Sequence, residues 1–474
     1  MKDEYKITVG LEIHAELKTK SKMFCGCQNS SEEDPNVHIC PICMGHPGTL
    51  PTINKEAVKK VLLVGTAVHG EIADFTEFDR KNYFYPDIPK GYQISQYKYP
   101  LVKGGELAGI KLTRIHLEED TARSTHDTPG VSLVDYNRAG VPLMELVTEP
   151  VIHSSSEAMN FAKELQLLLQ YLGVSGANME KGEMRVEVNI SVSKGEKFGT
   201  KVEVKNINSF RAAGKAIDFE YKRHVGILEA GESVVQETRG WDENKEITFS
   251  QRSKENAHDY RYFPEPDLPK LLISEIPDFT ESSLKGSLVE LPQEKRERLL
   301  GLGVKSEDVE TYINNREAGS FFDTVVSGVS ALGGDSIKVA SNYITSDIIG
   351  FSKATGSAFS VGMVDVDGFV KLITMIKNGD LSSRGAKDTL KVMFDVGGNP
   401  EVIAKEKGLI QKNNPEEIKQ LAEKIINENQ SAVVEYKSGK ETLLQFFVGE
   451  GMKITKGSVN PEVLKKYILD LLQK

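Results

Sequence analysis

Short runs in which apolar and polar residues alternate are frequent in the first 290 residues of the chain. The run GLEIHAEL at 10–17 places apolar residues at the odd positions and Glu12, His14 and Glu16 at the even positions. Side chains of an extended strand point alternately to opposite faces. The pattern therefore predicts a strand with one buried face and one face lined by side chains that can bind cations.

Several other segments have one of the two regular periods. The runs with a period of two are VSLVDYN, MRVEVNISVS, GTKVEVKNI and SVVQETRGW. The segments NKEAVKKVLLVGTAVHG and SSSEAMNFAKELQLLLQYLG are helical in period, and the second opens on a Ser cap and closes at Gly173. Strands joined without regular helical crossovers predict an antiparallel or mixed sheet with helices packed on it, an α+β fold.

From residue 291 onwards the period is helical. Ser306, Ser346 and Ser382 are predicted N-caps, and Gly-Gly-Asn-Pro at 397–400 predicts a break before three more short helices. The chain is also longer than one hydrophobic core usually serves. We predict an α+β domain at 1–290, an all-helical domain at 291–398 and a small helical tail at 399–474.

Composition limits the classes of function. Of the 474 residues, 39% are hydrophobic and 27% are charged, as in an ordinary globular protein. The formal charge of −10 argues against a broad basic surface for DNA. No signal peptide and no run of membrane-spanning length is recognisable, so we expect a cytoplasmic protein without a membrane partner.

The four cysteines lie within 19 residues, in a loop at 25–43: Cys25, Cys27, Cys40 and Cys43. Two closely spaced thiolate pairs predict a structural, tetrahedral zinc site, in which His38 or His46 could replace a thiolate. The alternative is a set of unliganded thiols. Because no cysteine remains elsewhere, we do not expect a thiol-dependent glutaminase within this chain.

Acidic residues recur on the predicted strands. IHLEED supplies Glu118 and Glu119, VPLMEL supplies Glu145, and the runs RVEVNIS and KVEVKN supply Glu187 and Glu203. Each alone is compatible with an ordinary solvated strand face. Gathered on one face, they would repel one another unless cations compensate, and this favours a site for divalent ions that bridge nucleotide phosphates.

Aromatic residues cluster with basic residues and prolines at 79–100, in DRKNYFYPDIPKGYQISQYKYP. This segment includes Lys81 and Tyr83, and DYRYFPEPDLP at 259–269 is similar in composition. Such a cluster can simply pack in a core. It also fits a rigid lip over a nucleotide or the acceptor end of a tRNA.

Six motifs carry a resemblance to a known family: VGLEIH, FDRKNYFYPDIPKGYQISQY, HLEED, VDYNRAGVPLMEL, EVKNINS and DYRYFPEPDLP. In this order they closely resemble the B subunits of tRNA-dependent amidotransferases, and the similarity runs essentially end to end. These enzymes convert Glu-tRNA(Gln) to Gln-tRNA(Gln) and Asp-tRNA(Asn) to Asn-tRNA(Asn).

The resemblance implies a cradle domain similar to glutamine synthetase that binds ATP and Mg²⁺ and phosphorylates the side-chain carboxylate of the aminoacyl-tRNA. It also implies a heterotrimer, in which an amidase A subunit supplies ammonia through a channel and a small C subunit wraps the pair. Residues 451–474 contain five lysines but only two acidic residues. This excess of positive charge suits contacts of the tail with tRNA phosphates.

The resemblance further implies site residues. The catalytic residues and ligands of a first Mg²⁺ are Glu12, His14, Glu119 and Glu145, and Glu118 is a further candidate ligand. Glu187 and Glu203 lie near a second cation, although this chain reads RVEVNIS where the family commonly has R-C-D-A-N-I-S. Imidazole suits Mn²⁺ better than Mg²⁺, so the ion at His14 stays open. The predicted contacts to ATP, phosphate or substrate are Lys81, Tyr83, Arg138 and Lys205.

Two other functions compete with this one. The first is a stand-alone carboxylate-amine ligase that acts on a small molecule, which the separate helical tail and the lack of an ammonia-generating centre disfavour. The second is a non-catalytic, zinc-containing scaffold that binds tRNA, which the ligand-rich strand faces disfavour.

Overall fold

A computed structural model of the chain describes residues 5–30, 33–195, 197–253, 260–411, 415–455 and 459–473. The chain forms two compact units, Met1–Pro292 and Gln293–Lys474. The three-part division with boundaries after 290 and 398 stays a prediction.

The first unit contains the strands. They are β1 (Lys6–Glu16), β2 (Glu71–Ile72), β3 (Phe75–Thr76), β4 (Asp79–Asn82), β5 (Tyr92–Ser95), β6 (Val102–Lys103), β7 (Glu106–Leu107), β8 (Ile110–Glu119), β9 (Arg123–Thr128), β10 (Val131–Asp135), β11 (Pro142–Thr148), β12 (Met184–Ser193), β13 (Val202–Ile207), β14 (Glu237–Asp242), β15 (Ile247–Ser253), β16 (Phe263–Pro264) and β17 (Leu271–Leu272). Its helices are α1 (Lys55–Ala67), α2 (Ser155–Tyr171), α3 (Phe210–Glu229) and α4 (Glu281–Gly286).

Within the described residues, ten strands form the main sheet. Nine follow the order β15-β14-β13-β12-β1-β11-β8-β6-β2, and β7 pairs with β8 beside this path. Neighbouring strands are antiparallel except β13 and β14, which are parallel. Smaller sheets join β16 to β4 and β5, β17 to β3, and β9 to β10. The predicted α+β class with a mixed sheet is confirmed.

One face of the main sheet packs on helices. The odd positions of β1, including Leu11 and Ile13, are buried in one hydrophobic cluster with residues of α1, α2 and α3. Ser154 caps α2 as predicted, because its side chain accepts a hydrogen bond from the Glu157 backbone. With this face covered, the even positions of β1 lie on the opposite, polar face of the sheet.

The second unit is helical. Its elements are α5 (Pro292–Gly301), α6 (Ser306–Asn314), α7 (Arg316–Val329), α8 (Ser336–Asn342), a π-helix (Tyr343–Ile348), α9 (Ile349–Ala354), α10 (Val366–Lys377), α11 (Ser383–Val396), α12 (Pro400–Glu406), α13 (Pro415–Glu428), α14 (Gln430–Lys437), α15 (Leu443–Ile454) and α16 (Pro461–Leu472). The last four share a hydrophobic cluster of their own.

Of the three serine caps predicted in this second unit, only Ser382 is confirmed, since it accepts a hydrogen bond from the Gly385 backbone. Ser306 is already the first helical residue, and the extended residue before it is Lys305, which has no capping oxygen. Ser346 lies inside the π-helix. After the break at 397–400 the described residues form five helices rather than the three that were predicted.

No helix in the described part of the chain is both long and apolar enough to cross a bilayer.

Candidate active site

The register of three neighbouring strands aligns a row of polar side chains. β1 lies between β11 and β12, with His14 opposite Glu145 and Glu12 opposite Glu187. On the far side of β11, β8 places His116 opposite Glu145. Directly opposed residues project from the same face of a sheet about 5 Å apart. The row therefore crosses the polar face of the sheet, perpendicular to its strands.

His14, Glu118 and Glu145 form a first group of ligands. One ligand atom from each of these side chains lies within 4.8 Å of the other two. His14 Nε2 is 3.3 Å from Glu145 Oε2 and 3.7 Å from Glu118 Oε1. Ser95 Oγ donates a hydrogen bond of 3.0 Å to Glu118 and holds this carboxylate in place. Imidazole and carboxylate in this arrangement fit a divalent cation such as Mn²⁺ or Mg²⁺.

A second group lies on the neighbouring strands and contains Glu12, Glu187 and Glu203, again with ligand atoms within 4.8 Å of one another. Asn189 Nδ2 donates to Glu12 Oε1 at 2.8 Å, and Thr238 Oγ1 donates to Glu203 Oε2 at 2.7 Å. These neutral donors orient the carboxylates without cancelling their charge. An all-oxygen ligand set of this kind fits a hard divalent cation.

Burial and crowding shift the acid–base properties of both groups. Burial raises the pKa of Glu12 and of Glu118, and the Glu145 carboxylate adds to both shifts. Burial alone would also raise the pKa of Glu145, but His116 and His14 hold it well below its usual range. Burial lowers the pKa of His116 to about 4. Burial acts in the same direction on His14, but the hydrogen bond to Glu145 outweighs it and raises the pKa of His14 to about 9. The two ligand groups together thus contain more carboxylates than the neighbouring histidines can neutralise.

Members of both groups line one cavity of about 260 Å³. Three basic side chains also line it. Lys205 Nζ is 3.0 Å from Glu187 Oε2, and Arg114 Nη2 is 3.6 Å from Glu145 Oε1. Lys81 Nζ lies over the rings of Tyr83 and Tyr260, 5.8 and 5.1 Å from their centroids. Burial alone would lower the pKa of Lys81, but Glu118 raises it, so the ammonium form persists.

The cysteine loop gathers its thiols at one point. The four Sγ atoms lie within 4.8 Å of one another. A tetrahedron of Zn–S bonds of about 2.3 Å requires S–S distances of roughly 3.8 Å, so the group fits zinc. The backbone N–H of Cys40 donates to Cys43 Sγ at 3.1 Å, as the turn of a C-x-x-C pair allows. The neighbouring His38 and His46 are absent from the four-membered group of the described residues.

Two family models match the chain. One, described as the GatB/GatE catalytic domain, matches residues 7–277, and the other, described as the GatB domain, matches residues 321–472. Together they cover most of the sequence. The chain belongs to the GatB family.

Relatives of the GatB family match over almost their entire length, and each is named as the B subunit of an aspartyl/glutamyl-tRNA(Asn/Gln) amidotransferase. The protein of Thermoanaerobacter sp. (strain X514) is 43% identical over 482 residues, which is 99% of this chain and 100% of the relative. That of Carboxydothermus hydrogenoformans is 41% identical over 487 residues, 99% of each chain. That of Crocosphaera subtropica is 40% identical over 495 residues, 100% of this chain and 98% of the relative. The family predicted from the six motifs is confirmed.

Two residues predicted from the GatB motifs lie elsewhere. Glu119 follows Glu118 on β8 and therefore points to the other side of the strand, where it accepts from the Ile94 backbone at 2.9 Å and contacts Lys90. Arg138 donates to the backbone carbonyls of Thr121 and Ala122, both at 3.0 Å, and so stabilises the loop that follows β8. The structure brings neither side chain into the two ligand groups.

The other residues predicted for this site are at or near the cavity. Of these, Tyr83 alone belongs neither to a ligand group nor to the lining of the cavity, and its hydroxyl donates to Gln93 Oε1 at 3.3 Å. The sequence prediction missed Arg114 and His116. A signal for them was available, because Arg114, His116 and Glu118 have the i, i+2 spacing of one strand face.

Proposed function

We propose that this chain is the carboxylate-activating B subunit of a tRNA-dependent amidotransferase that acts on Glu-tRNA(Gln), Asp-tRNA(Asn) or both. The observation that carries the proposal is the pair of cation-ligand groups side by side at one cavity of about 260 Å³. The names of the curated relatives supply the reaction and the tRNA substrates.

The chemistry requires activation of the substrate. A carboxylate is a poor acyl donor to ammonia, because it would have to release an oxide. In the proposed reaction an oxygen of the substrate carboxylate attacks the γ-phosphorus of ATP, giving an acyl phosphate and ADP. Ammonia then displaces inorganic phosphate and leaves the amide. Cations bound at the two groups would neutralise charge on the phosphate oxygens.

The side chains of this protein have distinct roles in the scheme. Lys81 and Lys205, which both line the cavity, offer ammonium groups to phosphate oxygens. Arg114 can bind a carboxylate or phosphate through two parallel hydrogen bonds. His116 Nε2 lies 3.4 Å from Glu145 Oε2 and so helps to hold the Glu145 carboxylate of the first ligand group in place. These groups bind and orient the two reactants.

The source of ammonia lies outside this chain in the proposal. All four cysteines belong to the loop at 25–43, so no thiol is free to open glutamine elsewhere. An amidase A subunit would release ammonia and a small C subunit would complete the complex. ATP, Mg²⁺ or Mn²⁺ in the cavity and structural zinc in the loop belong to the same proposal, as does a cradle arranged like glutamine synthetase.

The tail would bind the tRNA. Residues 451–474 carry five lysines, of which Lys453, Lys465 and Lys466 lie among the described residues, on α15 and α16. Lys456 and Lys474 lie outside them. Basic side chains on helices of this kind neutralise phosphates and release counterions.

The test uses the purified A–B–C complex with Glu-tRNA(Gln), γ-labelled ATP and no amide donor. We expect a labelled, acid-labile acyl phosphate on the tRNA, lost in Glu145→Gln and retained in Glu106→Gln, an exposed control on β7 of the same sheet. Absence of label in the wild-type complex, or equal label in Glu145→Gln, would refute the activation step. In a parallel reaction with free glutamate in place of Glu-tRNA(Gln), label on the free glutamate would favour the stand-alone ligase.

A further inference from the structure

A pair of stacked tyrosines stands beside the two ligand groups. The rings of Tyr97 and Tyr262 are nearly parallel, with an angle of 13° and a distance of 4.3 Å between their centroids. Both residues line the same cavity as the ligand groups. Tyr97 is 53% exposed, whereas Tyr262 is half-buried. The stack therefore has an inner ring within the wall and an outer ring available to a further planar group.

The backbone around both tyrosines is fixed by one strand. The N–H groups of Tyr97 and Lys98 both donate to the Asp79 carboxylate, at 2.9 and 3.3 Å, and Asp79 is buried on β4. Directly after Tyr262, Phe263 pairs with Arg80 of the same strand. Large side chains that are exposed yet held in a stacked geometry are pre-organised for a ligand, because little conformational entropy is lost when it binds.

The inner ring, Tyr262, keeps its neutral form beside the acidic groups. Burial raises the pKa of Tyr262 to about 12, although Lys81 acts in the opposite direction. A neutral phenol stacks on a planar base without adding charge to a cavity that already holds several carboxylates. Edge contact with Tyr260, at 6.1 Å between centroids, further fixes the inner ring.

We propose that Tyr97 and Tyr262 form a stacking platform for an adenine base at the rim of the cation cavity, with the base on the free face of Tyr97. The inference rests on the proposed function, in which two adenines come to this cavity. One belongs to ATP and the other is the 3′-terminal adenosine of the tRNA. Stacking contributes about 1–3 kcal/mol per base, which corresponds to roughly 5- to 150-fold in affinity.

The test measures KM for ATP and KM for Glu-tRNA(Gln) in the intact complex, with Tyr97→Ala, Tyr97→Phe and the control Phe198→Ala. Phe198 is 69% exposed and is absent from the residues that line the cavity. We expect Tyr97→Ala to raise one of the two KM values at least fivefold, while Tyr97→Phe and the control stay within twofold. A rise for ATP assigns the base to the nucleotide, and a rise for the tRNA assigns it to the acceptor end.

Two results would overturn the platform. In one, neither KM changes by more than twofold in Tyr97→Ala; in the other, Tyr97→Phe loses as much as Tyr97→Ala, which would indicate a role of the hydroxyl. A wild-type complex that consumes no ATP in the presence of Glu-tRNA(Gln) refutes the proposed function instead. ATP consumption with unchanged KM values in Tyr97→Ala refutes only the stacking.

Discussion

Glu220 on α3 is the side chain whose ionisation makes the clearest prediction for stability. It is fully buried and accepts hydrogen bonds from Arg223, at 2.8 Å, and from Thr248 of β15. Arg239 Nε of β14 lies 3.3 Å from Glu220 Oε1, the oxygen that also accepts from Thr248. The carboxylate thus ties α3 to the last two strands of the main sheet, the edge strand β15 and its neighbour β14. On its other side β14 pairs with β13, the strand that carries Glu203.

The magnitude follows from the pKa. Burial alone would raise the pKa of Glu220, but His224, whose Nε2 lies 3.2 Å from the carboxylate, and the hydrogen bonds from Arg223 and Thr248 outweigh it and lower the pKa from 4.5 to about 2. One pKa unit corresponds to about 1.4 kcal/mol, so the ionised group stabilises the fold by about 3 kcal/mol at neutral pH. Because the pKa is depressed in the folded state, this contribution is complete above pH 4.5 and is lost as the pH falls towards 2.

The assay is urea unfolding followed by the fluorescence of Trp241, which is the one tryptophan of the chain and lies buried on β14. Glu220→Gln keeps the shape but removes the charge, and we expect a loss of about 3 kcal/mol at pH 7. With a denaturant dependence of about 3 kcal/mol per M, the midpoint falls by roughly 1 M. Glu229→Gln, exposed on the same helix, should change stability by less than about 0.5 kcal/mol.

The pH dependence separates a lost charge from a packing defect. At pH 3.5 the difference between wild type and Glu220→Gln should shrink to about 2 kcal/mol, because the wild-type carboxylate then gains protons on unfolding. A difference as large as at pH 7, or a variant no less stable than Glu229→Gln, would refute this account of Glu220.

Three further predictions concern metal and tRNA. Cys40→Ser should lower the zinc content of the purified protein by metal analysis, and equal zinc in both proteins would exclude the tetrathiolate site. Glu118→Gln should weaken Mn²⁺ binding at least about tenfold by titration and Glu119→Gln much less; the reverse order would contradict the geometry of β8. Replacing Lys465 and Lys466 by Gln should reduce the slope of log affinity for tRNA against log salt by roughly 1.5, and an unchanged slope would exclude these contacts.

The local part of the fold could be predicted from the sequence. In GLEIHAEL the period of two separates Leu11 and Ile13 from Glu12 and His14, and the structure buries the first pair and places the second on the polar face. This succeeds because the period of a strand depends only on adjacent residues. The capping serine of α2 was likewise predictable, since a cap is a local hydrogen bond.

The meeting of side chains from distant strands could not be predicted in this way. That His14 lies opposite Glu145 depends on the pairing of strands about 130 residues apart, which no local pattern specifies. Residue type was also insufficient for Arg138, which was predicted to contact phosphate or carboxylate and whose guanidinium donates instead to two backbone carbonyls. To decide whether Glu118 or Glu119 is a ligand, one must know which of them lies on the polar face of β8. Glu118 is two residues after His116, so the two side chains lie on the same face.

The fold and the candidate site are constrained by the same register. A shift of β1 by one residue against its neighbours would turn Glu12 and His14 into the hydrophobic cluster and expose Leu11 and Ile13. The cost of burying two polar groups therefore opposes every shift by an odd number of residues, and each such shift would also destroy the ligand groups. Since β1 contributes one member to each ligand group, the alternation along this strand keeps Glu12 and His14 on the face that carries the other candidate ligands.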